Sequence, residues 1–478
     1  MKQGGYLLGF DIGSSSVKAS VIDCDSGRVC AQATSPATEL PIDAPQPGWA
    51  EQHPELWWEH VGAASRRLQH EGVDLARVQA VGLAYQMHGL VCVDHEYKPL
   101  RPAILWCDSR AVACGQQLFE QLGSHYCFSH LLNAPGNFTA AKLKWVKDHE
   151  PSLFRRIAKL MLPGDYLAYK LTGECLTTPS GLSEGMFWDY PANAIARRLL
   201  DELDITEALL PPLTAPFSEQ GHISAAAARH TGLPMGIPLS YRAGDQPNNA
   251  LSLNVLNPGD VAATAGTSGV VYGVTQQPLA DPLGRVNTFV HVNHQATRER
   301  YGVLLCVNGC GILNSWIRHH CVGLDYSAMD RQAAATAPGA LGLLMLPYGN
   351  GAERTLGNAQ PGASLHNLDC NRHSRGHLLR AAQEGIVFAL SKGMGVLGQL
   401  GLEPTVVKAG MANMFLSPLF CEAFSCVNNV PLQLYRTDGA QGAARGAGVG
   451  AGVYGCLSEA VAGVECVKVV EPDRSCQS

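Results

Sequence analysis

Two hydrophobic patterns alternate along this chain. Short apolar runs closed by a polar or glycine-rich turn predict buried strands, and apolar residues recurring every three or four positions predict helices. The first run, residues 6–12, passes through Asp11 into the turn Gly13-Ser14-Ser15-Ser16, and a second apolar run begins at Val17. This predicts a β-hairpin with a hydroxyl-rich tip. The same shape returns at 260–272, where an apolar run enters Gly266-Thr267-Ser268-Gly269 and leaves as another apolar run. Two such copies, about half a chain apart, suggest two similar halves.

Between the hairpins the pattern predicts a strand at 28–33 and a helix over 54–71. That helix opens on Pro54 and has Leu56, Trp57, Val61, Ala64 and Leu68 on one face. A buried strand over 80–85 stops at Gln86-Met87-His88-Gly89 and resumes at Leu90. Another run ends in Trp106, Asp108 and Arg110. Residues 140–147 read as a helix with Leu143 and Val146 inward and Lys142, Lys144 and Lys147 mostly outward. An alanine-rich helix is expected over 221–232, then a strand ending at Gly244-Asp245-Gln246. The domain boundary is placed there, dividing residues 1–245 from 246–478. In the second half a glycine-rich turn, Asn308 to Gly311, precedes a helix with Trp316, and a long helix is expected over 377–400. A strand over 405–409 breaks at Gly410-Met411-Ala412-Asn413, and Asp438 caps a Gly/Ala-rich helix over 440–451. The period-two glycines of that helix suit close packing better than a pyrophosphate turn.

Composition narrows the function. Among 478 residues, 46% are apolar and 16% charged, enough to fill large cores. A net charge of −6 leaves no electrostatic footprint for nucleic acid. No apolar run is long enough to cross a bilayer, and the first residues reach an acid too soon for a signal peptide. A cytoplasmic location is therefore expected, with the 16 cysteines as free thiols. The pairs Cys306/Cys310 and Cys421/Cys426 lack partner pairs at zinc-ligand spacing.

The candidate chemistry lies at the strand ends. Hairpin tips that offer backbone N–H groups and hydroxyls can hold phosphate, and Asp11 can hold a divalent cation beside it, usually through water. His88 is either a ligand contact or a satisfied buried histidine. Asp108 and Asp245 are each either site carboxylates or helix caps.

Taken together these motifs resemble the FGGY carbohydrate kinases of the actin-like ATPase superfamily, and within them most closely the xylulokinases. The matching stretches are Asp11 to Lys18, Gln86 to Gly89, Trp106 to Arg110, Phe138 to Val146, Gly244-Asp245, Gly266 to Gly269 and Glu353 to Thr355. The resemblance spans nearly the whole chain, from Leu7 to about Tyr454. It departs from the family at Ala409-Gly410, at Asn367 and at Gln246-Pro247-Asn248.

The resemblance implies an α/β fold of two ribonuclease-H-like domains around a central cleft, sugar mostly against the first and ATP mostly against the second. It implies Asp245 as catalytic base, and Met87, His88, Asp108 and Gln246 at the sugar. Asp11 would hold magnesium. Gly13, Ser14, Ser15, Lys18, Gly266 and Thr267 would face the phosphates, with Gly410, Asn413 and Trp316 flanking the nucleoside. The implied reaction is ATP-dependent phosphorylation of a ketopentose at its terminal hydroxyl, D-xylulose to D-xylulose 5-phosphate. D-Ribulose, sedoheptulose or glycerol as substrate, and a sugar-sensing role without turnover, stand as alternatives. The implied partners are small molecules, with neither nucleic acid nor membrane. A homodimer is left open.

Overall fold

The computed structural model describes residues 4–473. In chain order its principal elements begin with strands β1 (Tyr6–Ile12), β2 (Val17–Asp23) and β3 (Val29–Ser35), then helix α1 (Pro54–His70) and strand β4 (Val78–Tyr85). Helices α2 (Thr139–His149), α3 (Pro163–Thr172) and α4 (Pro179–Glu184) follow, then β5 (Leu239–Gly244) and α5 (Asp245–Ser252). Strands β6 (Val261–Ala265), β7 (Gly269–Thr275) and β8 (Tyr301–Val307) lead to α6 (Gly311–Ile317) and α7 (Arg375–Gln399). The rest comprises β9 (Val407–Gly410), α8 (Pro418–Asn428), β10 (Leu432–Tyr435), α9 (Gly439–Gly450) and β11 (Cys466–Val470).

These elements pack as two compact units. Among the described residues, one comprises 4–254, 289–299 and 438–464; the other comprises 255–288, 300–437 and 465–473. Chain division and packing division therefore differ, because α9 returns from the far end of the sequence to the first unit.

In the first unit the sheet order is β5-β4-β1-β2-β3, with β1, β2 and β3 antiparallel and β1, β4 and β5 parallel. Leu7, Leu8, Phe10 and Ile12 of β1 are all fully buried, so both faces of the strand are covered. Helix α1 covers one face. Its start is set by Pro54 in the first turn and by the His53 side chain, which accepts from Glu55 N–H; Arg67 and His70 lie in its last turn. Helix α9 covers the other face at backbone distance. A Cβ on Gly9 would fall 2.0 Å from the Ala440 carbonyl, and one on Gly82 equally close to that of Ala443. The glycines of α9 thus serve close packing, as the sequence pattern suggests.

In the second unit the strands run β8-β7-β6-β9-β10-β11. Here β6, β7 and β8 are antiparallel, and β6, β9 and β10 parallel. The first five positions repeat the order and sense of the first unit, which is the ribonuclease-H-like class expected from the sequence. Helix α7 buries Leu379, Ile386, Val387 and Leu390 in this unit's core.

One expected helix is shorter than predicted. Ser224 caps a helix over Ala225–Thr231, and Gly221, at φ +117°, lies outside it. Among the described residues, no helix is long and apolar enough to cross a membrane, and the described cysteines are free thiols.

Candidate active site

In the first unit, the β1–β2 hairpin sets Asp11 opposite Lys18 and closes its turn with Gly13 N–H donating to Ser16 O at 3.0 Å. Asp11 is half-buried and Lys18 exposed. Burial raises the Asp11 carboxyl above its ordinary value, Lys18 pulls it down, and Asp438 raises it again. Asp438 caps α9 by accepting from Gln441 N–H at 2.9 Å, and its other oxygen accepts from Gln32 Nε2 at 2.6 Å. The next residue must be small, since a Cβ on Gly439 would fall 2.3 Å from Asp11 Oδ2. The Asp11 carboxylate therefore lies at the N-terminus of a twelve-residue helix, where the dipole favours negative charge.

Asp245 opens α5 directly after β5. It is half-buried, and burial followed by the Asp11 charge pushes its carboxyl up to about 7, against hydrogen bonds from Gln246. Two carboxylates close enough to repel each other suit a hard cation, which takes oxygen ligands and keeps several waters. The pair offers oxygen donors of the kind a hard divalent cation takes. No group of three or more His, Cys, Asp or Glu side chains poised to bind metal occurs among the described residues.

His88 has φ +59°, in the left-handed region. Its Nδ1 lies 2.8 Å from the Glu184 carbonyl, and its own carbonyl accepts from Lys142 Nζ at 2.8 Å. Its ring meets Phe138 edge-on at 4.9 Å. Met87 is buried against Gly244, where an added Cβ would meet its Cγ at 2.7 Å. Met87 and Gln246 thus lie beside Asp245 in this fold.

Asp108 is placed differently. It is fully buried, accepts Ala50 N–H at 2.6 Å, and receives Nε and Nη2 of Arg110, the latter at 2.7 Å. Arg110 in turn stacks 3.6 Å from the Trp49 ring. This carboxylate is engaged in a structural clamp. Trp106, by contrast, is exposed, with Nε1 3.5 Å from Ser14 Oγ of the hairpin.

Lys142 corrects the sequence reading. It is fully buried rather than outward, because α2 is covered on both faces: Ala140, Ala141, Leu143, Trp145 and Val146 are buried as well. Its stem runs through the core and its head stops at the His88 carbonyl. Glu184 was not foreseen either. Burial, with Asp245 and Asp165 nearby, holds its carboxyl well above the usual range. Its Oε2 would lie 2.4 Å from a Cβ on Gly244.

In the second unit the β6–β7 hairpin pairs Ala265 with Gly269 across Gly266-Thr267-Ser268. The start of α6 is tied to it: Gly311 N–H donates to Gly266 O at 2.8 Å and Ile312 N–H to Thr267 O at 3.2 Å. The preceding turn is held by Glu353, fully buried, which accepts Gly309 N–H at 2.8 Å and Asn308 N–H at 3.2 Å. Only glycine fits at 309, where a Cβ would fall 1.8 Å from the Pro347 carbonyl. Asn413, exposed at φ +53°, adjoins the hairpin, with Nδ2 3.5 Å from a Cβ position on Gly266. Gly410 ends β9 just before it. Trp316 lies at the far end of α6, 55% exposed, its ring 5.6 Å from His320. The sequence pointed to the Glu353 loop as a motif without indicating its use.

A duplicated α/β fold of the actin-like kind, with one hairpin tip per unit and an acid pair beside the first, defines the class. Models of the FGGY family of carbohydrate kinases match it directly, the N-terminal domain over residues 6–252 and the C-terminal domain over 261–453. The chain belongs to the FGGY family of carbohydrate kinases. It is 32% identical over 394 residues to a xylulose kinase of Streptomyces rubiginosus, covering 81% of this chain and 76% of that protein. With the xylulose kinase of Escherichia coli K12 it shares 29% identity over 445 residues, 92% of this chain and 88% of that one. Among solved structures, a xylulose kinase from Rhodospirillum rubrum superposes with TM-score 0.85 at 26% identity, covering 98% of this chain and 95% of that one.

Proposed function

We propose that this sugar kinase phosphorylates the terminal hydroxyl of a ketopentose, D-xylulose, with ATP, giving D-xylulose 5-phosphate. The similarity to xylulose kinases over most of the chain supports the sugar. The observation that carries the chemistry is Asp245, at a strand end beside Asp11, with its carboxyl pushed up to about 7. A base poised there accepts a hydroxyl proton at neutral pH with good driving force.

In this reading Asp245 takes the proton of the attacking hydroxyl. Met87, His88 and Gln246 shape and contact the sugar beside it, while Asp108 acts from behind by fixing the Trp106–Arg110 turn. Asp11 holds magnesium, which when bound spreads and offsets charge on the transferring phosphoryl group. Gly13, Ser14, Ser15 and Lys18 of the first hairpin face the phosphates, as do Gly266 and Thr267 of the second. Gly410, Asn413 and Trp316 flank the nucleoside.

A panel of ketoses and polyols in an ADP-release assay, ranked by kcat/KM, tests the substrate. D-Xylulose is expected first; a clear preference for D-ribulose, sedoheptulose or glycerol replaces it. Asp245→Asn should fold and lose about a hundredfold to ten-thousandfold in sugar-dependent turnover. Wild-type turnover in that variant removes Asp245 as the base.

A further inference from the structure

We propose that Lys142 is a positioning residue for the sugar: its ammonium clamps the left-handed turn at His88 and so aims the imidazole at the substrate. This rests on the reading that His88 contacts the sugar.

Three observations converge on it. First, Lys142 has no exposed surface, and a buried ammonium is retained only where a specific acceptor compensates its lost hydration. The acceptor here is a single backbone carbonyl, that of His88, at 2.8 Å. Second, His88 holds φ +59°, which a residue with a side chain keeps only when its surroundings enforce it. Glycine would form this turn freely but would bring no ring. Third, the imidazole is gripped from the other side, by the Glu184 carbonyl at 2.8 Å and by Phe138 and Phe289 at centroid distances of 4.9 and 5.4 Å. Lys142 holds the turn's backbone at His88 itself, the Thr139 hydroxyl donates to the next carbonyl, that of Gly89, at 3.4 Å, and the other contacts act on the ring.

The chemistry of the ammonium suits this role. Burial pushes it down to about 7, while Asp108 draws it back up. In either protonation state the nitrogen keeps an N–H to donate, so the clamp persists across neutral pH.

The test compares Lys142→Met, His88→Ala and the double variant of the full chain in the ADP-release assay, with D-xylulose and ATP varied separately. Lys142→Met should raise the sugar KM roughly tenfold, the scale of one charge-assisted hydrogen bond, and leave the ATP KM within about twofold. In the His88→Ala background it should add nothing further. Sugar and ATP KM rising together, or the two effects multiplying in the double variant, would reduce Lys142 to a core residue. If His88→Ala itself leaves the sugar KM unchanged, the reading of His88 fails, and the proposal falls with it by a separate result. Should Lys142→Met not fold, Lys142→Gln, which keeps an N–H donor on a shorter arm, makes the same comparison.

Discussion

The two hairpins are built alike and equipped differently. Each joins the central strand of a sheet to its antiparallel neighbour, and the flanking strands repeat in order and sense. Counting back from the last paired residue of each first strand, Asp11 corresponds to Thr264 and Lys18 to Val270. The first hairpin therefore carries an ion-forming pair across its strands, and the second carries none. Their supports differ as well. Asp11 lies against the N-terminus of α9, whereas the second tip is pinned by backbone bonds from α6. Duplication supplied two hairpin tips, and only one has a carboxylate at this place.

The sharpest test of that asymmetry exchanges its chemistry. Asp11→Asn should lower turnover by on the order of a hundredfold or more and raise the magnesium concentration needed for half-maximal rate. Thr264→Val, at the corresponding place, should stay within about twofold. Comparable losses in both would mean that the two tips share the metal's work.

Packing beneath the tips separates the units too. Gly9 corresponds to Ala262, which is buried yet accommodates its methyl group. Gly9→Ala would drive Cβ to 2.0 Å from a backbone oxygen that cannot turn aside. It should cost about 1–3 kcal/mol or more by urea unfolding, against about 1 kcal/mol for Ala262→Gly. A neutral Gly9→Ala would refute the close seating of α9.

The acid pair gives a pH signature with a definite sign. Folded Asp245 keeps its proton up to about 7, while the unfolded chain releases it near the ordinary 3.8. Between those values the folded state binds more protons, so this group lowers stability as pH rises and leaves it lower above about 7. Asp245→Asn should therefore be the more stable protein at pH 8, in nucleotide-free, EDTA-treated samples, with the gap closing toward pH 4. Asp11→Asn removes the charge that helps raise Asp245, so the fall in stability should end at lower pH. For catalysis the sign reverses: sugar kcat/KM should climb as Asp245 ionises and then level off. A flat profile from pH 5 to 8 would separate turnover from that carboxylate.

Most of the fold was legible because its signals are local. Apolar runs, hydroxyl tips and the Pro54 helix start each act within a few residues, and the repeated hairpin announced the duplication. Lys142 was not legible. Its charge argued for an outward place, whereas helical spacing sets it beside Trp145 and Val146, three and four positions on, and that face is the buried one. Glu184 lies in a six-residue helix without distinctive pattern, and its contact with Gly244 spans sixty positions of sequence. The Asp438 cap could be read locally, but its effect on Asp11 depends on a helix that returns from the other end of the chain.

The smallest expected effect concerns Lys18. Lys18→Val copies the second hairpin's residue into the first. The position is exposed on a strand paired on both sides, where valine suits the pleated surface, so stability should change by no more than about 0.5 kcal/mol. Its charge lowers the proton affinity of Asp11 and faces the proposed phosphate site. The variant should therefore raise the ATP KM a few-fold at low salt. Mobile ions screen an exposed charge over about 10 Å at 0.1 M, so the difference should shrink as salt is added. An ATP KM equal to wild type at every ionic strength would make Lys18 a solvated strand residue and leave Asp11 as the one chemical difference between the hairpins.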